Sequence, residues 1–264
     1  MSDDTPPQRA ARFSWSVILM PLGVAVILLT AWHIAVKVSG HDIFPTPLEV
    51  LRGFGELVQQ GLLLKYIVAS LFRVSWGFSL AVVVGVPLGL LIGWFSPVFS
   101  ALNPFIQILR PISPIAWIPI AILWFGREDT APVFLIFLAS VFPIAVSATA
   151  AVQNMQPVYL RAAQNFGLSK GQLFRRVIFP SCLPQIITGL RIALGIAWLV
   201  VVAAEMIAVD SGLGYLIIDA RNAGKRYDLV VAGMVMIGLI GLVLDLVIRR
   251  LERFDEVRWG YSNR

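Results

Sequence analysis

Six stretches of about twenty residues, at 17–38, 74–95, 105–125, 132–152, 185–209 and 229–248, are almost continuously apolar. A membrane-crossing helix needs about 20 such residues, because the hydrocarbon layer is about 30 Å thick and a helix rises 1.5 Å per residue. Lipid offers the backbone no hydrogen-bonding partners, so these stretches can be helices or nothing. The chain is therefore expected to be an all-α membrane protein with about six transmembrane helices. Composition agrees: 58% of residues are hydrophobic, 14% are charged, and mean hydropathy is +0.82. Soluble domains average roughly 45–50% and about 25%.

The first run reads as a retained span. It is longer than the apolar region of a cleaved leader, about 7–15 residues, and "VSGHDIF" after it has no small-residue cleavage site. Pro87, Pro111, Pro114, Pro119 and Pro143 lie inside or at the ends of the second, third and fourth runs. Such spans pack within a bundle, where neighbours satisfy the backbone groups proline frees, and some should be kinked. Gly85, Gly89 and Gly93 recur on one face of the second span, which suits close helix contact. Thr46-Pro47 reads as the start of a short helix running toward Gln60.

Basic residues set the expected orientation. With the N-terminus inside, Arg9, Arg12, Arg161, Lys170, Arg175, Arg176, Arg249, Arg250, Arg253, Arg258 and Arg264 are cytoplasmic. Arg52, Lys65, Arg127, Arg221, Lys225 and Arg226 fall outside, diluted by acids. The expected organisation is a cytoplasmic tail 1–16, one transmembrane domain 17–250 and a cytoplasmic tail 251–264. The net charge of +6 belongs to this bias, and no nucleic-acid-binding motif accompanies it. The single cysteine, Cys182, excludes an internal disulfide and reads as a small buried apolar residue.

Between the fourth and fifth spans lies the basic, amphipathic segment 156–180. Pro157 suits a first helical turn, Tyr159, Ala162, Ala163 and Phe166 form one apolar stripe, and Gly167 stands where a left-handed C-cap belongs. Ser169 opens a second helix with Gln172 completing a capping box, Leu173, Phe174, Val177 and Ile178 form its apolar face, and Pro180 is expected to stop it. The result is a helix–glycine–helix elbow whose mixed surface fits a protein partner better than lipid.

"RAAQNFGLSKGQLFRRVIFP" resembles the EAA loop of bacterial ABC importer permeases, with Ala162, Ala163, Gly167 and Pro180 in register and Arg161 in place of the family's glutamate. "SLFRVSWGFSLAVVVGVPLGLLIG", "LRPISPIAWIPIAILWFG" and "AAEMIAVDSGLGYLIIDARN" are similar to the nitrate/sulfonate/taurine/bicarbonate branch. The resemblance implies a type I importer permease fold and an elbow that docks on a separate ATPase through Arg161, Ala162, Ala163, Phe166, Gly167, Leu168 and Ser169. It implies two permease copies, two ATP-binding subunits holding ATP and Mg, and a periplasmic or lipid-anchored binding protein, all in the bacterial inner membrane. The chain has no phosphate-binding loop and no Ser/His/Asp or Cys/His set; His33 and His41 lie at the outer end of the first span. No cofactor, metal or catalytic residue is expected in it. An ion-coupled carrier half is the alternative, though no internal repeat favours it.

Charges inside spans are candidate path or gating residues. Glu205 could pair with a base, line the path or hold the fifth span; a carboxylate is a poor ligand for an anion, which favours a structural or gating role. Arg73 and Arg110 lie near expected span ends, where a snorkelling arginine is the simpler reading and attraction of an oxyanion the other. Trp76, Trp117 and Trp198 are path or packing residues, and Asp245 should pair with Arg249 one turn on. Gly212 and Gly214 predict a tight external turn followed by a re-entering or surface helix.

Overall fold

The computed structural model describes residues 16–39, 44–222 and 224–251. The expected tails lie outside these but for Ser16 and Leu251, as does His41. The first span is α1 (Ser16–Ser39), followed by the short α2 (Pro47–Gln59). Thr46 caps α2 as expected: its hydroxyl accepts from the Glu49 N–H at 3.4 Å, and its own N–H donates to the Glu49 carboxylate at 2.7 Å.

The second span, α3 (Leu62–Trp94), starts a dozen residues before its hydropathic run and absorbs Pro87. Its Gly85, Gly89 and Gly93 lie against α6 (Thr130–Gln153). A Cβ on Gly89 would fall 2.3 Å from the Ala145 carbonyl, so the two backbones meet where no side chain fits. Thr149 Oγ1 donates to the Gly89 carbonyl across that contact at 3.0 Å.

The third span is not one helix. It consists of α4 (Ser96–Leu109), a 3-10 turn (Pro114–Trp117) and α5 (Ile118–Phe125), with the two limbs bent by 84°. Pro111 and Pro114 have no N–H to continue the ladder of α4, so the chain turns there. Among the described residues five helices are long and apolar enough to cross a membrane, and counting the bent pair as one span gives six.

The fifth span also departs from expectation. Pro180 does not stop the elbow's second helix: α8 (Lys170–Leu173), a π-helical turn (Phe174–Ile178) and α9 (Phe179–Ala208) run on without a break over 39 residues. In the π-turn the Phe179 N–H reaches back five residues to the Phe174 carbonyl. That wider turn makes room for the Pro180 ring, which would collide with a carbonyl in an α-helical turn. Beyond α9 lie α10 (Leu213–Asn222) and the last span, α11 (Tyr227–Leu251).

The core lies between α3, α6 and α9, with α10 and α11 closing one side. Trp198 is buried there and donates to the Ile237 carbonyl at 3.0 Å, which makes it a packing residue. Trp76, by contrast, is exposed. Asp245 pairs with Arg249 at 2.8 Å as expected, and also with Arg191 of α9 at 2.7 Å. Cys182 is fully buried.

Candidate functional site

The elbow begins with α7 (Pro157–Asn165). Gly167 takes φ +67°, the left-handed conformation a side chain resists. Its N–H bonds the Gln164 carbonyl at 2.9 Å, and the Leu168 N–H bonds the Ala163 carbonyl at 3.2 Å. These two bonds make the glycine-terminated C-cap of the Schellman type. Ser169 then caps α8, its N–H donating to Gln172 Oε1 at 3.0 Å and its hydroxyl accepting from the Gln172 N–H at 3.4 Å.

The expected apolar stripe is split by the fold. Ala163 is buried with Leu173, Ile178 and Cys182 against Leu90, Ala148 and Val152, and Leu168 packs on the same cluster. Tyr159, Arg161, Ala162, Phe166 and Ser169 face outward, and Phe166 is 85% exposed. The second apolar face divides likewise, since Phe174 is exposed. One side of the elbow therefore anchors it to the bundle, and the other presents an aromatic ring that no described residue covers.

At the opposite end of the bundle, Arg73 and Glu205 meet. Arg73 is only 1% exposed, so it is not a snorkelling interface arginine. Its Nη1 donates to Glu205 Oε1 at 2.7 Å and to the Ser211 carbonyl at 2.8 Å, while Nε and Nη2 reach Asp129 Oδ1 at 2.8 and 2.7 Å. Nη2 also donates to the Ser211 hydroxyl. Because α3 starts early, Arg73 lies one helical stretch inside the fold, where only a paired guanidinium is tolerable.

Glu205, 0% exposed, accepts from Arg73, from Ser70 Oγ at 2.9 Å and from the Gly214 N–H at 3.0 Å. Ser70 in turn accepts from the Leu213 N–H at 3.0 Å. Gly212 has φ +105°, and a Cβ there would sit 2.3 Å from the Glu205 carboxyl carbon. The turn expected at Gly212 and Gly214 is thus wrapped around a carboxylate. Spacing shows the glycines and the acid separately; that one encloses the other is a tertiary fact. Asp129, which sequence reading did not single out, is the network's solvent-facing member at 56% exposure.

Arg110 and Trp117 come together in a third place. Both line a cavity of about 280 Å³ at the bend of the third span, with residues from the middle of α6 and α9. Arg110 is therefore not at a span end but at a break within one. The four expected path or gating residues form two groups, Arg73 with Glu205 and Arg110 with Trp117.

Residues 85–254 match the family described as binding-protein-dependent transport system inner membrane component. The chain belongs to this family. It is 36% identical over 257 residues to the taurine transport system permease protein TauC of Escherichia coli K12, covering 93% of this chain and 92% of that one. It is 36% identical to the nitrate import permease NrtB of Synechocystis (89% and 88% covered) and 34% identical to the bicarbonate permease CmpB of Synechococcus elongatus (90% and 89%). Among solved structures it is similar to the bacterial ABC transporter that imports alginate, with TM-score 0.65 and 17% identity over 90% of this chain and 95% of that one. The inward-facing MetNI methionine transporter gives 0.64 and 18%, over 74% and 96%. At such identities these structures speak for the fold alone, a type I importer permease. The chain is a transport subunit of an ABC importer, with ATP hydrolysed by a separate protein, and not an ion-coupled carrier.

Proposed function

We propose that this permease forms half of the path by which a small oxyanion, of the nitrate, sulfonate, taurine or bicarbonate class, enters a bacterial cell. Two copies make the pore, two ATPases holding ATP and Mg dock on the elbows, and a periplasmic or lipid-anchored binding protein delivers the solute from outside. Both termini and the elbow face the cytoplasm. The taurine, nitrate and bicarbonate permeases, similar along nearly their whole length, support the solute class.

The observation that carries the mechanism is the unbroken helix from Lys170 to Ala208. At 1.5 Å per residue it spans about 58 Å, so it joins the elbow to Glu205, three residues from its far end, as one rod. A push on Phe166, Ala162 and Arg161 is transmitted through the cap at Gly167–Ser169 into that rod. Its far end is fastened to α3 by Arg73 and to the first turn of α10 by the Gly214 N–H. On this reading Arg73 and Glu205 are gating residues: they hold the outer end until the ATPases close and shift the balance between two packed arrangements. The π-turn at Phe174–Ile178 is where the rod can flex.

The test is reconstitution of the complex of permease, nucleotide-binding subunit and binding protein in proteoliposomes. ATP-dependent uptake of taurine, nitrate or bicarbonate is expected. Uptake without ATP, or a permease that never co-purifies with its ATPase, would overturn the proposal.

A further inference from the structure

The cavity at the broken third span has a chemistry of its own. Its walls are Phe142 and Pro143 from the middle of α6, Ile192 and Ile196 from the middle of α9, and Arg110 and Trp117 from either side of the bend. Arg110 is the only charged side chain among them. Guanidinium and indole are donors with no acceptor, so whatever polar group enters must accept hydrogen bonds. No side chain among the described residues bonds or pairs with Arg110. The depth matters too: the flanking positions of α6 and α9 put the guanidinium near the membrane midplane, where an arginine facing lipid is costly and one facing a polar path is not.

We infer that Arg110 and Trp117 form an oxyanion-binding subsite within the translocation path, at the discontinuity between α4 and α5. The inference rests on the importer reading above and adds where the anion sits. A break in a span is where backbone and side-chain donors can reach a solute at mid-membrane without leaving a lipid-exposed gap. The cavity, about 280 Å³, is sized for a small solute and not for a sugar chain. Arg110 is open to solvent in the single chain, and its apolar neighbours Phe142, Pro143, Ile192 and Ile196 offer no competing acceptor side chain. A single cation with no fixed carboxylate beside it can hold an anion and still release it, as conduction requires. Arg110 also stands at the C-terminus of α4, where any cation is favoured. That role does not involve Trp117, and the experiment separates the two.

Wild-type complex with its own ATPase and binding protein is reconstituted, and initial uptake of taurine, nitrate and bicarbonate is measured against external concentration. Arg110→Gln is expected to lower uptake of the transported anion at least ~10-fold, the loss of one charge-assisted contact. Arg110→Lys, which keeps the charge, should recover most of it, and Trp117→Phe should raise the half-saturating concentration about threefold or more with little change in maximal rate. Arg127→Gln, which breaks only the exposed 3.3 Å pair with Asp210, is the control and should transport normally. Arg110→Gln transporting within about twofold of wild type would overturn the subsite while leaving the importer reading intact. If Arg110→Gln fails to assemble, unchanged half-saturation in Trp117→Phe would also overturn it, because a helix-capping arginine gives Trp117 no part in binding. Wild-type complex that moves none of the three anions would overturn the importer reading, and the subsite with it.

Discussion

Replacing Glu205 by alanine should destabilise the fold by about 3 kcal/mol, and the structure says why it should be neither much less nor much more. The carboxylate takes three hydrogen bonds, from Arg73 Nη1 at 2.7 Å, Ser70 Oγ at 2.9 Å and the Gly214 N–H at 3.0 Å. Removing one partner of a buried ion pair usually costs about 3–5 kcal/mol, because the other charge remains in a poor solvent. Here Asp129 and Ser211 still hold Arg73, which places the loss near the lower limit. The Gly214 N–H and the Ser70 hydroxyl would each cost about 1–3 kcal/mol if orphaned, but the vacated volume is ringed by polar groups and can admit water. Unfolding free energy from SDS titration in mixed micelles gives the single-variant losses for Glu205→Ala and Arg73→Met. The double variant should be less unstable than the two losses combined, by about 1 kcal/mol or more, since it removes both charges together. A loss below about 1 kcal/mol for Glu205→Ala, or additivity within about 0.5 kcal/mol, would refute the account of this network as a buried clasp.

Other perturbations read other parts of the fold. Gly212→Ala should cost at least about 1–2 kcal/mol by the same assay, because the new Cβ must occupy a left-handed backbone and the space of the Glu205 carboxyl. Phe166→Ala should leave stability within about 0.5 kcal/mol while weakening ATPase association by about 2 kcal/mol, near 30-fold in a pull-down titration, since the ring is 85% exposed in the chain alone. Gly167→Pro should abolish co-purification with the ATPase and leave membrane insertion intact, because a ring fixed near φ −65° cannot adopt +67°. Arg226 donates to Glu56 at 2.6 Å and holds that carboxyl below its usual range. Glu56 then adds stability above its unfolded-state pKa and loses it as pH falls through the lower folded-state value. Wild type should therefore exceed Glu56→Gln in stability at neutral pH, and the two should converge as pH falls through the lowered folded-state value of Glu56.

Much of this was legible in the residues taken in order. Hydropathy located the six spans because lipid imposes the same demand on every one of them. The cap at Thr46, the left-handed Gly167 and the Ser169–Gln172 box were visible because caps are local: a few neighbouring residues contain all the atoms involved. The same locality hid other features. Nothing near Pro180 announces that a π-turn upstream will carry the helix through it, and no count of apolar residues splits α4 from α5 by 84°. Arg73 looked like an interface residue because its partners, Glu205 and Asp129, stand 132 and 56 positions away.

What the sequence alone determined is the solvent, the helical class and the elbow's turn, all of which follow from interactions within a few residues or with a uniform medium. Tertiary structure decided which charges meet. The energy of a buried ion depends on what lies within a few ångströms of it, and in a bundle those neighbours come from helices far apart in the chain. The clasp around Glu205 and the cavity beneath Arg110 exist only once α3, α5, α6 and α9 have packed.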